Sequence, residues 1–147
     1  MELIKLYLSS WGKAFTLKGR ASRLEFWLFV CANSSIAVLV KYVWWQFFWD
    51  SLNFFKMFDS FVLYWNVFKY AFANASGWFI ALLAITLVIG LLNCIATINI
   101  SARRLHDTNK SAVSLLWWAV PLFGWLFLLI LHIKKGTVGD NRFGKVN

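Results

Sequence analysis

The apolar and polar positions of this chain fall into long blocks, and two of the apolar blocks predict helices that cross a membrane. The run from Trp78 to Ile100 is almost free of polar residues. About 23 residues at about 1.5 Å per residue reach across a hydrocarbon core of about 30 Å. A second apolar run begins near residue 24 and continues to about Trp49. We therefore predict transmembrane helices over 24–49 and 78–104.

The start of the first span carries a helix-capping signal. Ser22 and Glu25 have the spacing of a capping box, in which a serine side chain accepts a hydrogen bond from a backbone N–H three residues later. Farther along, Lys41 lies where a long cation can snorkel toward the other interface, among aromatic residues that form a belt. The belt residues are Trp44, Trp45, Phe47, Phe48 and Trp49.

The first 18 residues predict a short interfacial helix. One apolar stripe recurs at helical spacing, while Lys5 and Lys13 lie away from it. The stripe consists of Leu3, Tyr7, Trp11, Ala14 and Phe15. Because polar residues interrupt the segment 1–18, it does not span the membrane and is expected to lie at its surface.

The pattern of apolar and polar residues does not decide the structure of two segments. Residues 52–75 place aromatic side chains on one stripe opposite polar ones, which fits an amphipathic helix on the outer surface and also an additional span. Residues 111–133 are apolar but interrupted by Pro121 and Gly124, so they form either a re-entrant hairpin or a single span.

The charge distribution favours the hairpin. A hairpin returns the polar, basic tail 134–147 to the side that holds most of the other Lys and Arg residues, as the positive-inside rule requires. Both termini then lie in the cytoplasm. A four-span alternative, in which 52–75 also crosses, keeps both termini inside but places the loop from Arg103 to Lys110 outside.

Composition limits the class of protein. Of the 147 residues, 61% are hydrophobic, 20% aromatic and 14% charged, which excludes an ordinary soluble domain. We predict an all-α integral membrane protein, a single domain over 1–147 built as a small helical bundle. Cys31 and Cys94 lie in apolar runs and indicate neither a disulfide nor a metal site, so no cofactor is expected. The basic residues that give the net charge of +9 lie on either side of the apolar spans. This arrangement indicates anionic lipid headgroups as partners and not nucleic acid.

A dense polar segment from Ser101 to Ser111 separates two apolar runs and is the first place to look for function. His106 and Asp107 are weak catalytic candidates, as a general base with its carboxylate or as metal ligands. Adjacent residues on a helix point in different directions, however, and His132 lies in an apolar run, so neither a dyad nor a metal site is complete. In the simpler interpretation, the arginines end one helix, a turn follows, and Ser111 caps the next helix.

The charges in this segment exceed what a turn requires, and they join other polar residues in one candidate cluster. The cluster either binds phosphate-bearing headgroups through guanidinium groups or forms a buried lattice in which Glu25, Asp107 and Asp140 hold the arginines. This ligand-binding or structural cluster comprises Arg20, Arg23, Glu25, Arg103, Arg104, His106, Asp107, Lys110, Asn141 and Arg142.

Three polar blocks carry a resemblance to a known family. They read GRxSRxEFW from Gly19, RRLHDTxKS from Arg103 and GxxGxNRFG from Gly136. In order and spacing they resemble the signature blocks of a bacterial inner-membrane family known as domain of unknown function 805, over essentially the whole chain. Asn109 stands where that family often has Gly, and Val138 where Pro is common. The resemblance implies a small inner-membrane protein and brings no established activity.

These patterns support three hypotheses. The leading one is a non-enzymatic structural or binding protein of the inner membrane, forming a homo-oligomer or bound to a membrane-protein partner. Its cytoplasmic Arg/His/Asp cluster is a structural node that binds anionic lipid or a partner. The second is a membrane-embedded enzyme that acts on a phospholipid headgroup with His106 as base. The third is a transporter or channel subunit, suggested by Asn93, Thr97 and Arg104 on one helical stripe and by the broken final segment.

Overall fold

The structure, a computed structural model, describes residues 2–55 and 77–144, with side chains described for 2–44 and 80–144. The described residues form α-helices and one 3-10 helix and contain no β-strand, which confirms the predicted all-α class. The elements are α1 (Glu2–Gly12), α2 (Arg23–Phe55), α3 (Gly77–Asp107), the 3-10 helix Ala112–Ala119 and α4 (Phe123–Ile133). The predicted helix over 52–75 lies outside the described residues from position 56 onward.

The chain divides into two compact units. One comprises Met1–Asn33 together with Leu92–Asn147, and the other comprises Ser34–Leu91. All of the polar residues singled out above as a candidate cluster belong to the first unit. The second unit contains the continuation of α2 and the beginning of α3.

Two of the helices are long and apolar enough to cross a membrane, and they coincide with the two predicted spans. The apolar stretches cover Arg23–Trp44 in α2 and Ile80–Asp107 in α3, with mean hydropathies of 1.6 and 2.4. Many of their apolar side chains, Val38 and Leu87 among them, are exposed on the protein surface. An apolar surface of this extent is stable against lipid and unfavourable against water.

The start of α2 follows from its sequence. The N–H of Glu25 donates to Ser22 Oγ at 3.1 Å, and the N–H of Phe26 donates to the Ser22 carbonyl at 3.0 Å. Serine therefore caps the helix as the capping-box spacing predicts. The Glu25 carboxylate makes a different contact, an ion pair described below. The helix then continues to Phe55, beyond its expected end near Trp49.

One face of α1 packs onto α2. The rings of Tyr7 and Trp11 lie 5.9 and 5.2 Å from the ring of Phe29, and the Tyr7 hydroxyl donates to Asn33 Oδ1 at 3.1 Å. Ala96 of α3 belongs to the same buried core. The middle of the apolar stripe predicted for the first 18 residues thus contacts protein.

The rest of α1 also carries apolar side chains. Leu3, Ile4 and Leu8 are exposed, and so is Phe15, which ends the predicted stripe and follows the helix. Helix α1 therefore has apolar residues both on the face that packs against α2 and on the face that leaves the protein.

The apolar segment after α3 is not one continuous helix. Ser111 caps the 3-10 helix, because its side chain accepts a hydrogen bond from the N–H of Val113 at 3.3 Å. Beyond Pro121, the N–H of Phe123 donates to the Pro121 carbonyl at 2.8 Å, and Leu122 between them has a φ of 62°. This is a γ-turn of the strained, positive-φ kind.

The two short helices on either side of this turn pack against each other. Gly124 approaches the 3-10 helix so closely that a Cβ atom would lie only 2.9 Å from the carbonyl carbon of Trp117. The indole N–H of Trp125 donates to the carbonyl of Trp118 at 3.0 Å. The break at Pro121 and Gly124 is therefore a tight turn between two contacting helices.

Candidate functional site

The centre of the polar cluster is one carboxylate that two arginines share. Arg20 approaches Asp107 Oδ1 through Nε at 2.9 Å and Nη2 at 2.8 Å, and Arg104 Nη1 donates to the other oxygen, Oδ2. Arg20 is 2% exposed and Arg104 is fully buried. Charged groups removed from water to this degree are stable only when they are paired and hydrogen-bonded.

Other N–H groups of these arginines bind backbone carbonyls at the end of α4 and in the tail that follows it. Arg20 donates through Nη1 to the Gly139 carbonyl at 2.6 Å and through Nη2 to the Thr137 carbonyl at 2.7 Å. Arg104 donates through Nε to the His132 carbonyl at 3.1 Å and through Nη2 to that of Lys134. The guanidinium groups thus hold the tail against the end of α3.

Asp107 also fixes the tail through its own backbone. Its carbonyl accepts from the Thr137 N–H at 2.8 Å and from Thr137 Oγ1 at 3.1 Å. Gly136 passes directly over its carboxylate, where a Cβ atom would overlap Oδ2 and lie 2.6 Å from Cγ. Only glycine fits at this position without displacing the carboxylate.

A second buried ion pair joins α2 to α3. Arg103 Nη1 lies 3.1 Å from Glu25 Oε1, which also accepts a hydrogen bond from Ser10 Oγ at 3.4 Å. Arg103 is 1% exposed and Glu25 4%. Nε and Nη2 of Arg103 have no hydrogen-bond partner in the part of the chain that the structure describes. The N–H of Ala21 donates to the Arg103 carbonyl at 3.1 Å, so the segment before α2 is tied to α3 as well.

His106 makes contacts separate from those of Asp107. Its Nδ1 lies 3.2 Å from the Gly19 carbonyl, which accepts a hydrogen bond from the ring when Nδ1 carries the proton. Its ring stacks on Phe143 with 4.0 Å between centroids and 6° between planes. The two neighbouring side chains therefore form no catalytic dyad. Among the described residues, no group of three or more His, Cys, Asp or Glu side chains is arranged to hold a metal ion.

The end of α3 explains why an asparagine occupies position 109. The N–H of Lys110 donates to the Leu105 carbonyl and that of Asn109 to the His106 carbonyl, both at 3.0 Å. This pair of bonds is the Schellman motif, which requires a left-handed residue, and Asn109 has a φ of 58°. Asparagine is the residue that most readily replaces glycine there.

We expect Asn109→Gly to keep the unfolding free energy within about 0.5 kcal/mol of wild type, and Asn109→Val to lower it by about 1–2 kcal/mol. The reason is that a β-branched side chain is strained at positive φ, whereas glycine is not. Thermal unfolding of the purified protein in a mild detergent measures both. Equal stability of the Val and Gly variants would contradict the role assigned to this turn.

A half-open cleft of about 310 Å³ borders this network. It is lined by residues 136–139 together with Arg20, Ser22, Arg23 and Asp107. Arg23 is exposed and forms no hydrogen bond or ion pair with any residue that the structure describes.

The structure brings most of the predicted cluster together, in two groups. Arg20, Arg104 and Asp107 form one ion-pair group, and Glu25 and Arg103 form the other. The other contacts are backbone-directed: Asn141 Nδ2 donates to the His106 carbonyl at 2.9 Å, and Arg142 Nη2 donates to the Asn109 carbonyl at 3.3 Å.

Three residues lie outside these groups. Arg23 and Lys110 have exposed side chains without a hydrogen bond to the described residues. Asp140, expected in a lattice with the arginines, is exposed and makes no ion pair within the described ranges, so that part of the lattice prediction is wrong. Sequence reasoning missed Ser10 and Thr137 as partners, because neutral hydroxyl residues far from the cluster in sequence carry no charge signal.

Comparisons with known proteins agree with one another. Residues 14–145 match the family described as "Protein of unknown function (DUF805)". The chain is 30% identical to "Inner membrane protein YhaH" of Escherichia coli strain K12 over 135 residues, which cover 86% of this chain and 83% of that protein. It is 28% identical to "Inner membrane protein YhaI" of the same strain over 138 residues, 94% of this chain and 91% of that protein. No solved structure matches the chain significantly.

Proposed function

Since the chain belongs to the DUF805 family, whose members named above are inner membrane proteins, we propose that it is a non-enzymatic inner-membrane protein that binds anionic lipid. In this proposal the buried ion pairs hold the polar end of the helices together, while the exposed basic residues contact lipid headgroups. The hypothesis based on sequence alone gave the structural and the lipid-binding role to the same cluster, whereas this proposal divides the two roles between buried and exposed residues.

The observation that carries the proposal is that the ionisable side chains at the centre of the cluster are bonded to protein groups, whereas the basic residues around them are exposed. His106 and Asp107 are each 8% exposed, and both are held by protein groups. A general base must reach the proton that it removes, directly or through one water molecule. The Nδ1 atom of His106 is occupied by the Gly19 carbonyl and one ring face by Phe143, and its neighbour Asp107 is bonded to two arginines, which argues against a phospholipid-processing enzyme with His106 as base.

The same contacts argue against transport along α3. Thr97 Oγ1 donates to Asn93 Oδ1 at 3.4 Å, and each nitrogen of the Arg104 guanidinium donates a hydrogen bond, Nη1 to Asp107 and Nε and Nη2 to backbone carbonyls. Gly90, one turn before Asn93, is exposed. The stripe therefore offers no free charged group to an ion.

The charges left on the surface support lipid binding. The unit that contains the polar cluster exposes, in its described part, many basic side chains and only two acidic ones, Glu2 and Asp140. Each basic residue near an anionic bilayer surface contributes about 1 kcal/mol to attraction. The exposed basic residues are Lys5, Lys13, Lys18, Arg23, Lys110, Lys134, Lys135 and Arg142.

The ion pairs also support a topology in which this polar end lies in the cytoplasm. Arg20, just before α2, contacts Asp107 at the end of α3, which supports an even number of membrane crossings between them. Helices α2 and α3 supply two crossings, which favours the two-span topology over the four-span alternative. The positive-inside rule then assigns the basic end to the cytoplasmic side.

The tail contacts extend this argument to the C-terminal segment. Arg20 binds Thr137 and Gly139, so the tail returns to the side from which α2 starts. The 3-10 helix, at about 2 Å per residue, and α4, at about 1.5 Å per residue, are each roughly half as long as the hydrocarbon core is thick. These lengths favour a re-entrant hairpin.

Lipid that co-purifies with the protein tests the proposal. We expect protein extracted in a neutral detergent to retain phosphatidylglycerol and cardiolipin several-fold above their share of the source membrane, because its exposed charge is positive. Quantitative mass spectrometry of the extracted lipid measures this ratio, and an unrelated inner-membrane protein with a neutral surface serves as the control. Retained lipid with the composition of the bulk membrane would contradict lipid binding.

A further inference from the structure

The cleft beside the ion-pair network combines a free cation with a wall of small residues. Gly136 and Gly139 line the cleft together with Ser22 and Arg23. Glycine lets a ligand approach the backbone closely. With a volume of about 310 Å³, the cleft has room for a phosphate group and the atoms attached to it.

The charge of Arg23 is not compensated within the described protein. No described carboxylate pairs with it, and it lies close enough to Arg104 for the two positive charges to repel each other. The one carboxylate that lines the cleft, Asp107, is already shared by Arg20 and Arg104. An anion bound at Arg23 would relieve this excess positive charge.

An apolar side chain stands at the same opening. Val138 lines the cleft and is completely exposed, with a relative accessibility of 103%. An exposed isopropyl group beside an unpaired guanidinium fits a ligand that is anionic at one end and apolar at the other. This combination distinguishes an amphiphile from inorganic phosphate.

We propose that the cleft binds the phosphate of an anionic phospholipid, with Arg23 as the residue that contacts the phosphate oxygens and Val138 against the glycerol and the start of the acyl chains. The inference rests on the proposed function, to which it adds a specific site. Guanidinium groups bind phosphate oxygens through two parallel, charge-assisted hydrogen bonds. The buried arginines Arg20 and Arg104 position the cleft and are not themselves ligands.

The test compares Arg23→Gln with a matched control, Lys13→Gln, in detergent-purified protein. Both variants remove one exposed positive charge, but Lys13 does not line the cleft. Short-chain phosphatidylglycerol, phosphatidylcholine and inorganic phosphate are titrated separately, and native mass spectrometry and thermal shift measure binding. We expect Arg23→Gln to weaken phosphatidylglycerol binding about tenfold, as the loss of one charge-assisted contact predicts, and Lys13→Gln to change it less than twofold. Because Arg23 has no described partner to lose, both variants keep the wild-type unfolding temperature.

A further variant and the separate ligands distinguish the possible results. Val138→Ser should weaken phosphatidylglycerol binding and leave the response to inorganic phosphate unchanged. Wild type that binds inorganic phosphate as tightly as phosphatidylglycerol would overturn the lipid assignment. If wild type prefers phosphatidylglycerol to phosphatidylcholine but Arg23→Gln binds phosphatidylglycerol as tightly as wild type does, the assignment of the binding site to the cleft is wrong and the proposed function stands. If wild type shows no preference between the two lipids, both proposals are wrong.

Discussion

Replacing Asp107 with alanine is expected to lower the unfolding free energy by about 3–5 kcal/mol, enough to leave much of the protein unfolded. The substitution removes the only carboxylate that pairs with Arg20 and Arg104 within the described residues, and both guanidinium groups are at most 2% exposed. A buried charge that loses its partner costs more than the ion pair itself contributes.

The matched control is Asp140→Ala, which removes the same side chain from an exposed site without an ion pair to the described residues. Its unfolding free energy should change by no more than about 0.5 kcal/mol. Asp107→Asn adds a second comparison, because it keeps the shape of the side chain and removes its charge. Monodispersity by size exclusion and thermal unfolding in detergent measure all three variants. Equal effects of Asp107→Ala and Asp140→Ala would show that the shared carboxylate does not stabilise the fold.

Gly136→Ala is expected to lower the unfolding free energy by about 3 kcal/mol, although it adds one methyl group. The new Cβ atom would overlap Asp107 Oδ2 and lie 2.8 Å from Oδ1, so either the carboxylate or the tail must move. Movement of either one lengthens the bonds from Arg20 to Asp107 and Thr137.

Gly90→Ala is the control for this substitution. No atom lies within 4 Å of the Cβ that alanine would add at Gly90, and that residue is in the middle of α3, where alanine is the better helix former. Its stability should equal or exceed that of wild type in the same thermal unfolding measurement. A Gly136→Ala variant as stable as Gly90→Ala would mean that the tail does not pack against Asp107 in solution.

The features that the sequence predicts well depend on neighbouring residues. The Ser22 cap is made by groups three residues apart, and the apolar stretches of α2 and α3 are recognised from hydropathy alone. The turn after α3 and the Ser111 cap were also predicted, because Asn, Asp and Ser residues have defined roles at helix ends.

The partners within the cluster were harder to predict, because they are far apart along the chain. Arg20 and Asp107 are separated by 87 residues, and no local rule selects Asp107 over Asp140 as the partner. The choice is decided by Gly136, which lets the tail cross the carboxylate, and by α3, which ends with Asp107 pointing at Arg20. Both features depend on how the helices pack, and the order of charges along the chain does not determine that packing.

The bond from Arg20 to the Gly139 carbonyl has a consequence for biogenesis. The two residues are 119 positions apart, and at about 5–20 residues per second the ribosome needs on the order of 10 s to synthesise the chain between them. The carboxylate partner of Arg20, Asp107, is made 87 residues after it, so the Arg20 side chain remains hydrated at the membrane surface for most of that interval. A chain interrupted before Asp107 therefore lacks the carboxylate that the Arg20 guanidinium contacts in the folded protein.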